Sequence, residues 1–322
     1  MKKKIIWSVI IVIVIILLVV FEINKNNKPD NVKIGLIAPL TGDFSMGSDE
    51  ILNALKDNLP NNYTLIAEDD QCDPKKTIST FNKLIDVDKV KYIIGPYCGG
   101  SQEVLIPLIK NKDVILVLPT SADEGLFERS NNKVFGVQYS IQDESAFMAK
   151  TMNDLNYKNI GLVSYNNSFS ILHTNSFKEE FKGDINEIKY TDFSSDIKSE
   201  LLKFKNTQID VFYITDLSFF LSGGLQKLRE LGFKQDVYST YLTALPMIKE
   251  IVGGVKYSYP EDIKESLKGP SYEFSLKALE ILSEKINKCI DRFDCVLKET
   301  KNSKDFNENG IRFQTLIIKE IN

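Results

Sequence analysis

The feature that most constrains this chain is an alternation of short apolar runs with longer segments carrying apolar residues at helical spacing, and the alternation occurs twice. Residues 32–39, 63–67, 92–96 and 114–118 read as buried strands, each closed by a turn or followed by a helix. Helices fall between them. In 49–59, Ile51, Leu52, Leu55 and Leu59 share one face, with Ser48 placed to cap it. The next opens at Pro74, where a missing N–H costs nothing, and turns Ile78, Phe81, Leu84 and Ile85 to the core; a third covers 101–110. The pattern restarts with a helix at 143–155. Strands at 160–164, 187–190, 211–214 and 237–239 then alternate with helices at 170–181, 196–205 and 220–231, the last ended by Gly232. Such alternation gives an α/β fold with parallel sheets covered on both faces. Two runs split near Tyr139 give two doubly wound lobes. The tail is helical over 271–300, turns at Asn307-Glu308-Asn309-Gly310 and ends in short strands within 311–321. The expected partition is 32–138 plus about 262–300 for lobe 1, and 139–261 plus about 305–322 for lobe 2.

Ligands of open α/β sheets bind beyond the carboxyl ends of the strands. That rule selects residues 40–47, 97–101, 119–123, 165–169, 215–218 and 239–241, which converge on one cleft if the lobes face each other. Composition narrows the chemistry. With 40 Lys+Arg against 44 Asp+Glu there is no basic excess to neutralise phosphates, so nucleic-acid binding is not expected. The single histidine, His173, lies on a predicted helix face and reads as a surface or rim residue. There is no nucleophile elbow, no P-loop and no G-x-G-x-x-G, so no enzyme, no cofactor and no metal site is expected. The acids Glu68-Asp69-Asp70 follow a strand and are expected to position the turn at Cys72.

The N-terminus departs from this soluble average. Met1-Lys2-Lys3-Lys4 precedes an apolar run over 5–21 broken only by Ser8. Its length sits at the short end of a membrane span, and the lysines keep the N-terminus cytoplasmic. No A-x-A-like cleavage site follows and no cysteine lies near its end. Residues 1–23 therefore read as an uncleaved signal anchor, a single-pass transmembrane helix, with cleavage at a poor site as the alternative. Residues 24–31, polar and containing Pro29, read as a linker to an extracytoplasmic body.

Several stretches carry a resemblance. Glu68-Asp69-Asp70-Gln71-Cys72-Asp73-Pro74, then Ile93-Ile94-Gly95-Pro96-Tyr97-Cys98, then Leu118-Pro119-Thr120-Ser121-Ala122 resemble the branched-chain amino-acid-binding proteins, type I periplasmic solute-binding proteins of ABC transporters. The opening Ile34-Gly35-Leu36-Ile37-Ala38-Pro39-Leu40-Thr41-Gly42 fits, as do Asp192-Phe193-Ser194, Asp210-Val211-Phe212-Tyr213 and Phe306-Asn307-Glu308-Asn309-Gly310. The resemblance implies two lobes joined by three crossovers, a hinge, and closure around a small polar ligand. It implies ligand contacts at Gly99, Gly100 and Ser101, a turn at a helix N-terminus suited to a carboxylate. It adds Thr120 and Ser121 at a second turn and Phe169, in place of a family tyrosine, from lobe 2. Tyr241 falls where amino-acid binders hold the ammonium with an acid, and Asp216 is the nearby acid that could substitute.

Four cysteines allow three pairings. The resemblance pairs Cys72 with Cys98, and Cys289 with Cys295 then follows by elimination. On one continuous helix the latter two would stand about 9 Å apart along the axis, too far for a bond. The helix is therefore expected to break near residues 291–294, with Asp294 capping the next. The implied activity is that of a monomeric receptor delivering a small polar metabolite, an amino acid or related amide or short peptide, to an ABC permease. An extracellular sensor of the same fold acting on a partner protein is the alternative.

Overall fold

The computed structural model describes residues 13–14, 31–42, 44–45, 47–191, 197–312 and 314–321. The chain begins β1 (Val32–Ala38), α1 (Ser48–Asn58), β2 (Tyr63–Asp69), α2 (Pro74–Asn82), β3 (Tyr92–Ile94), α3 (Gly99–Ile109), β4 (Ile115–Leu118), α4 (Glu124–Arg129) and β5 (Val134–Gly136). It continues α5 (Ile141–Asp154), β6 (Asn159–Tyr165), α6 (Ser168–Glu180), β7 (Asp184–Tyr190), α7 (Ile197–Leu201) and β8 (Val211–Ile214). Then come α8 (Ser218–Leu221), α9 (Gly224–Glu230), β9 (Val237–Ser239), α10 (Pro246–Lys249), β10 (Val255–Pro260), α11 (Pro270–Cys289), α12 (Phe293–Lys301) and β11 (Leu316–Glu320).

The first sheet runs β2-β1-β3-β4-β5 and is parallel throughout. The second, read from its far edge, runs β7-β6-β8-β9-β10-β11. One strand order is thus used twice, giving the expected two doubly wound lobes. The inner strands β3, β4 and β8 are buried at every position, as parallel strands covered on both faces must be. Three features differ from the sequence reading. Strand β11 joins β10 antiparallel, so the second sheet is mixed. The short elements α4 and β5 and the whole of β10 were not expected. The first two are too brief for a periodic signal, and β10 alternates polar and aromatic residues behind Gly253-Gly254. The helix expected at 220–231 is divided by Gly223, whose φ of 72° lies in the left-handed region.

The chain passes between the sheets at 137–140, 261–269 and 302–315. These segments lie side by side. The Tyr139 N–H donates to Gln314 Oε1 at 3.1 Å, and the Glu261 N–H to the Thr315 carbonyl at 2.9 Å. Gly136 is bonded to both Gly310 and Arg312 at 2.9 Å. The three crossovers thus form one hydrogen-bonded bundle between the sheets. Helix α11 returns to pack on α1, in the first half of the molecule.

Both disulfides are formed, each with Cα atoms 5.6 Å apart. The helix does break between Cys289 and Cys295, through left-handed Ile290 and Asp291. The cap of α12 is Arg292, however, and Asp294 lies inside the first turn, where its charge favours the helix dipole without a capping bond. Ser48 likewise lies inside α1, with Gly47 at the cap.

The apolar run over 5–21 lies outside the described residues except for Ile13 and Val14, as does the linker except for Asn31, and so does Asp192-Phe193-Ser194. Among the described residues no helix is long and apolar enough to cross a membrane.

Candidate functional site

The carboxyl ends of the two sheets face each other. On the first side, the turn after β2 and the start of α3 are tied by Cys72–Cys98. Beneath them lies Asp70, fully buried. It accepts from Ser101 Oγ at 2.7 Å, Thr77 Oγ1 at 2.9 Å and the Cys72 N–H at 3.2 Å. Asp70 thus positions the Cys72 turn, as expected of the acidic run. It also claims the Ser101 hydroxyl, so the part of Ser101 left to face the cleft is its backbone. Helix α3 starts from Cys98 with no side-chain cap. A Cβ on Gly99 would come 3.5 Å from Ser168 Oγ, so the N-termini of α3 and α6 approach across the gap. Gly100 faces Pro74 instead.

Thr120 and Ser121, after β4, are buried. The Thr120 hydroxyl donates to the Tyr97 carbonyl and accepts from Gln102 Nε2, both at 3.2 Å. Tyr241, the first residue of a 3-10 turn over Tyr241–Ala244, reaches Ser121 from the opposite lobe. Its ring meets Tyr139 and Phe274 edge-on, at 6.1 and 6.0 Å between centroids. Burial first, then the nearby Tyr97 and Glu144, holds the Tyr241 hydroxyl well above its ordinary range, so it is a neutral donor. Tyr97 is likewise pushed up by burial, to about 12, and bonds Ser271 at the start of α11. Asp216 is buried and accepts from Asn167 Nδ2 at 2.9 Å; Asn167 is the residue that caps α6. Phe169 is half-buried, with its ring 4.4 Å from that of His173.

His173 corrects the sequence reading. It is completely buried, not a surface or rim residue, because the face of α6 it occupies packs on α5. Its Nδ1 lies 2.9 Å from Ser145 Oγ, and its Nε2 lies 3.3 Å from Glu144 Oε2. The sequence reading missed Glu144 altogether. This acid is fully buried; its Oε1 accepts from the Tyr241 N–H at 2.8 Å, from Ser258 Oγ and from Tyr139 Oη at 3.5 Å. Only its place on the inward face of a capped helix, at the third position after Ile141, could have signalled it. Two more buried hydroxyls, Thr240 Oγ1 and Thr243 Oγ1, stand after β9 with no partner among the described residues. Among these residues no group of three or more His, Cys, Asp or Glu side chains could hold a metal.

This assembly is aromatic and rich in hydroxyl and amide donors. The family model described as periplasmic binding protein matches residues 31–259. The Leu/Ile/Val-binding protein BraC3 of Rhizobium johnstonii is 23% identical over 198 residues, covering 57% of this chain and 54% of its own. The chain spans about half the length of that curated relative and about a third of the Leu/Ile/Val-binding protein of Citrobacter freundii (35%). Among solved structures, the branched-chain amino acid transporter substrate binding protein LivJ from Streptococcus pneumoniae, in complex with isoleucine, superposes with a TM-score of 0.77. It does so at 14% identity over 91% of this chain and 97% of that one. A solute binding protein of an ABC transporter from Rhodopseudomonas palustris, in complex with 3,4-dihydroxybenzoic acid, gives 0.76 at 18% identity over 90% and 93%.

Proposed function

The chain belongs to the periplasmic binding protein family, and from that premise we propose that it captures a small carboxylate-bearing solute between its lobes and passes it to an ABC permease. The observation that carries this reading is the meeting of two uncapped or lightly capped helix N-termini across the gap, Gly99 of α3 against Ser168 of α6. Both present positive dipole ends and free N–H groups, which favour an anion. Ser121 and Tyr241 supply hydroxyls beside them, with Thr120 behind, its hydroxyl held by the Tyr97 carbonyl and Gln102. The lobes are assigned as 32–138 with about 262–300, and 139–261 with about 305–322; the packing of α11 on α1 supports the first. Residues 1–23 would hold the receptor at the outer face of the membrane as a monomer.

Solutes of two kinds occur among the fold neighbours, an amino acid and an aromatic acid. Tyr241 at the position of the usual ammonium partner favours the aromatic acid, since a buried ammonium without an anion costs several kcal/mol. Asp216 is the acid through which an amino acid would still be accepted. A thermal-shift panel of leucine, isoleucine, benzoate and 3,4-dihydroxybenzoate tests the reading. A true ligand at a hundredfold excess over Kd stabilises by about 2.7 kcal/mol. No shift with any of the four would remove the proposed solute class.

A further inference from the structure

Strands β1, β2 and β3 all begin at one end of the first sheet, and α11 finishes there. Tyr63 Oη donates to Asn287 Oδ1 at 3.3 Å, and Lys91 pairs with Asp291 at 3.7 Å. The helix stops on Ile290, with φ 52° and ψ 50°. That left-handed position favours glycine or asparagine, and a β-branched side chain there is strained. Burial does not offset the strain, because Ile290 is 44% exposed. Asp291 follows in the same conformation, and the Cys289–Cys295 bond closes the turn. Val87, in the turn before β3, is 70% exposed.

The same end carries cations without counter-charges. Asp86 and Asp291 are taken by Lys112 and Lys91. Lys89, Lys110 and Arg292 are exposed and form no ion pair among the described residues. Lys33 and Lys133 donate to backbone carbonyls, those of Asp88 and of Ile109, Lys110 and Lys112. Against these cations stand Asp88, Asp113 and Asp294. The matching end of the second sheet has no such excess: Lys158, Lys182 and Lys234 stand among Asp184, Asp210 and Glu320. The chain also enters here from its N-terminal side. β1 begins at Val32, and Asn31 accepts from Thr64 Oγ1 at 2.8 Å. Residues 24–30 span at most about 25 Å when fully extended, so this end stays within that distance of a bilayer holding residues 1–23.

We propose that this end of lobe 1 rests on an anionic phospholipid surface, with Ile290 and Val87 at the headgroup boundary and Lys89, Lys110 and Arg292 against lipid phosphates. The proposal rests on the reading of residues 1–23 as a membrane anchor. Anionic headgroups attract lysine and arginine held within a Debye length of the surface. Exposed apolar side chains gain by leaving water at the same boundary. The strained turn then has a use, since it projects an isoleucine outward where an ordinary helix end would not. Because the carboxyl ends of the two sheets face each other, lobe 1 is the lobe held at the bilayer and lobe 2 the one left free to swing.

The full chain, inserted into vesicles of phosphatidylcholine alone or with about one-third phosphatidylglycerol, tests this by flotation and by lysine acetylation read residue by residue. In the anionic vesicles at low salt, Lys89 and Lys110 should react about tenfold more slowly than in the neutral ones, and salt should restore the rate. Lys182 and Lys234, at the matching end of lobe 2, should react equally in both. Equal rates at Lys89 and Lys110 in a chain that floats leave the anchor standing and overturn the resting surface alone. Equal slowing at all four lysines overturns it too. A chain that floats with neither vesicle removes the anchor, and the surface with it. Ile290→Asn separates this role from a structural one. It relieves the strained position, so the unfolding midpoint should hold or rise while the slowing at Lys89 falls to about threefold or less. A lowered midpoint would place Ile290 in the packing of the turn, and unchanged slowing would take it off the bilayer; either result overturns the proposal.

Discussion

The two edges that meet at the cleft each rest on a fully buried acid, and the two acids are solvated in different ways. Asp70, under the first edge, meets only donors: two hydroxyls and a backbone N–H, within a turn closed by Cys72–Cys98. Glu144, behind the second, meets donors on one oxygen, while the other stands 3.3 Å from the buried imidazole of His173. The first edge is a cross-linked frame. The second has no cross-link, and Tyr241 is held there by the bond from its N–H to Glu144 Oε1. For the receptor function proposed above, the cross-linked edge is the constant wall and the other is where specificity would change.

The contrast can be broken most forcefully at the cross-link. Replacing Cys72 and Cys98 together by serine opens a loop of about 26 residues and should cost about 3–4 kcal/mol in chemical denaturation. The same replacement at Cys289 and Cys295, only six residues apart, should cost about 2 kcal/mol. Equal losses would mean that the first edge is no more dependent on its cross-link than the tail is. Next in size, Asp70→Ala removes the acceptor shared by the Thr77 and Ser101 hydroxyls and the Cys72 N–H and should cost about 3 kcal/mol, with Asp70→Asn losing roughly a third of that. An unfolding midpoint that does not move with Asp70→Ala would show that the frame does not rest on this acid.

These elements were unequally legible in the sequence. The frame was readable because its parts are adjacent in sequence or marked by type: an acid run after a strand, a proline opening a helix, two cysteines. The two runs of alternating strands and helices were readable because parallel strands buried on both faces must be apolar throughout. Glu144 and His173 were not, because a polar residue on a helix face looks the same whether that face meets water or another helix. His173 is buried by the packing of α5 on α6, a long-range event without a local signature. β10 was lost for a similar reason: Lys256 and Ser258 interrupt its apolar pattern, and a partner strand from the C-terminal tail completes it.

The hinge between the edges has its own charge latch, with a smaller expected effect. Glu265, in the second crossover, lies between Lys249 and Lys319, and Tyr257 Oη also donates to it. Burial alone would raise its pKa, but the hydrogen bonds from Lys249, Lys319 and Tyr257 outweigh it and hold the carboxyl at about 2. A folded pKa below the model value of 4.5 means stability that is fully present above about 4.5 and lost as pH falls towards 2. Discounted for partial exposure, Glu265→Gln should cost about 1–2 kcal/mol near neutral pH. The gap from the wild type should close as pH falls through that window, in denaturation curves taken at several pH values. A gap independent of pH would place the loss in packing rather than in the latch.

The smallest effects are expected in the cleft, where they separate the two walls most cleanly. Ser121→Ala removes one hydroxyl from the constant wall and should weaken binding of a ligand found in the thermal-shift panel by about tenfold or less, the worth of one hydrogen bond. It should do so by a similar factor for every ligand, because the frame behind it does not move. Tyr241→Phe removes the hydroxyl that meets Ser121 from the other wall. Since the ring stays packed on Tyr139 and Phe274, the fold should hold, and the loss should differ between an aromatic acid and an amino acid. Asp216→Ala should weaken only an amino acid, through its ammonium. Titration of the three variants with leucine and benzoate distinguishes these cases. Unchanged affinity in both Ser121→Ala and Asp216→Ala would move the binding site away from this cleft.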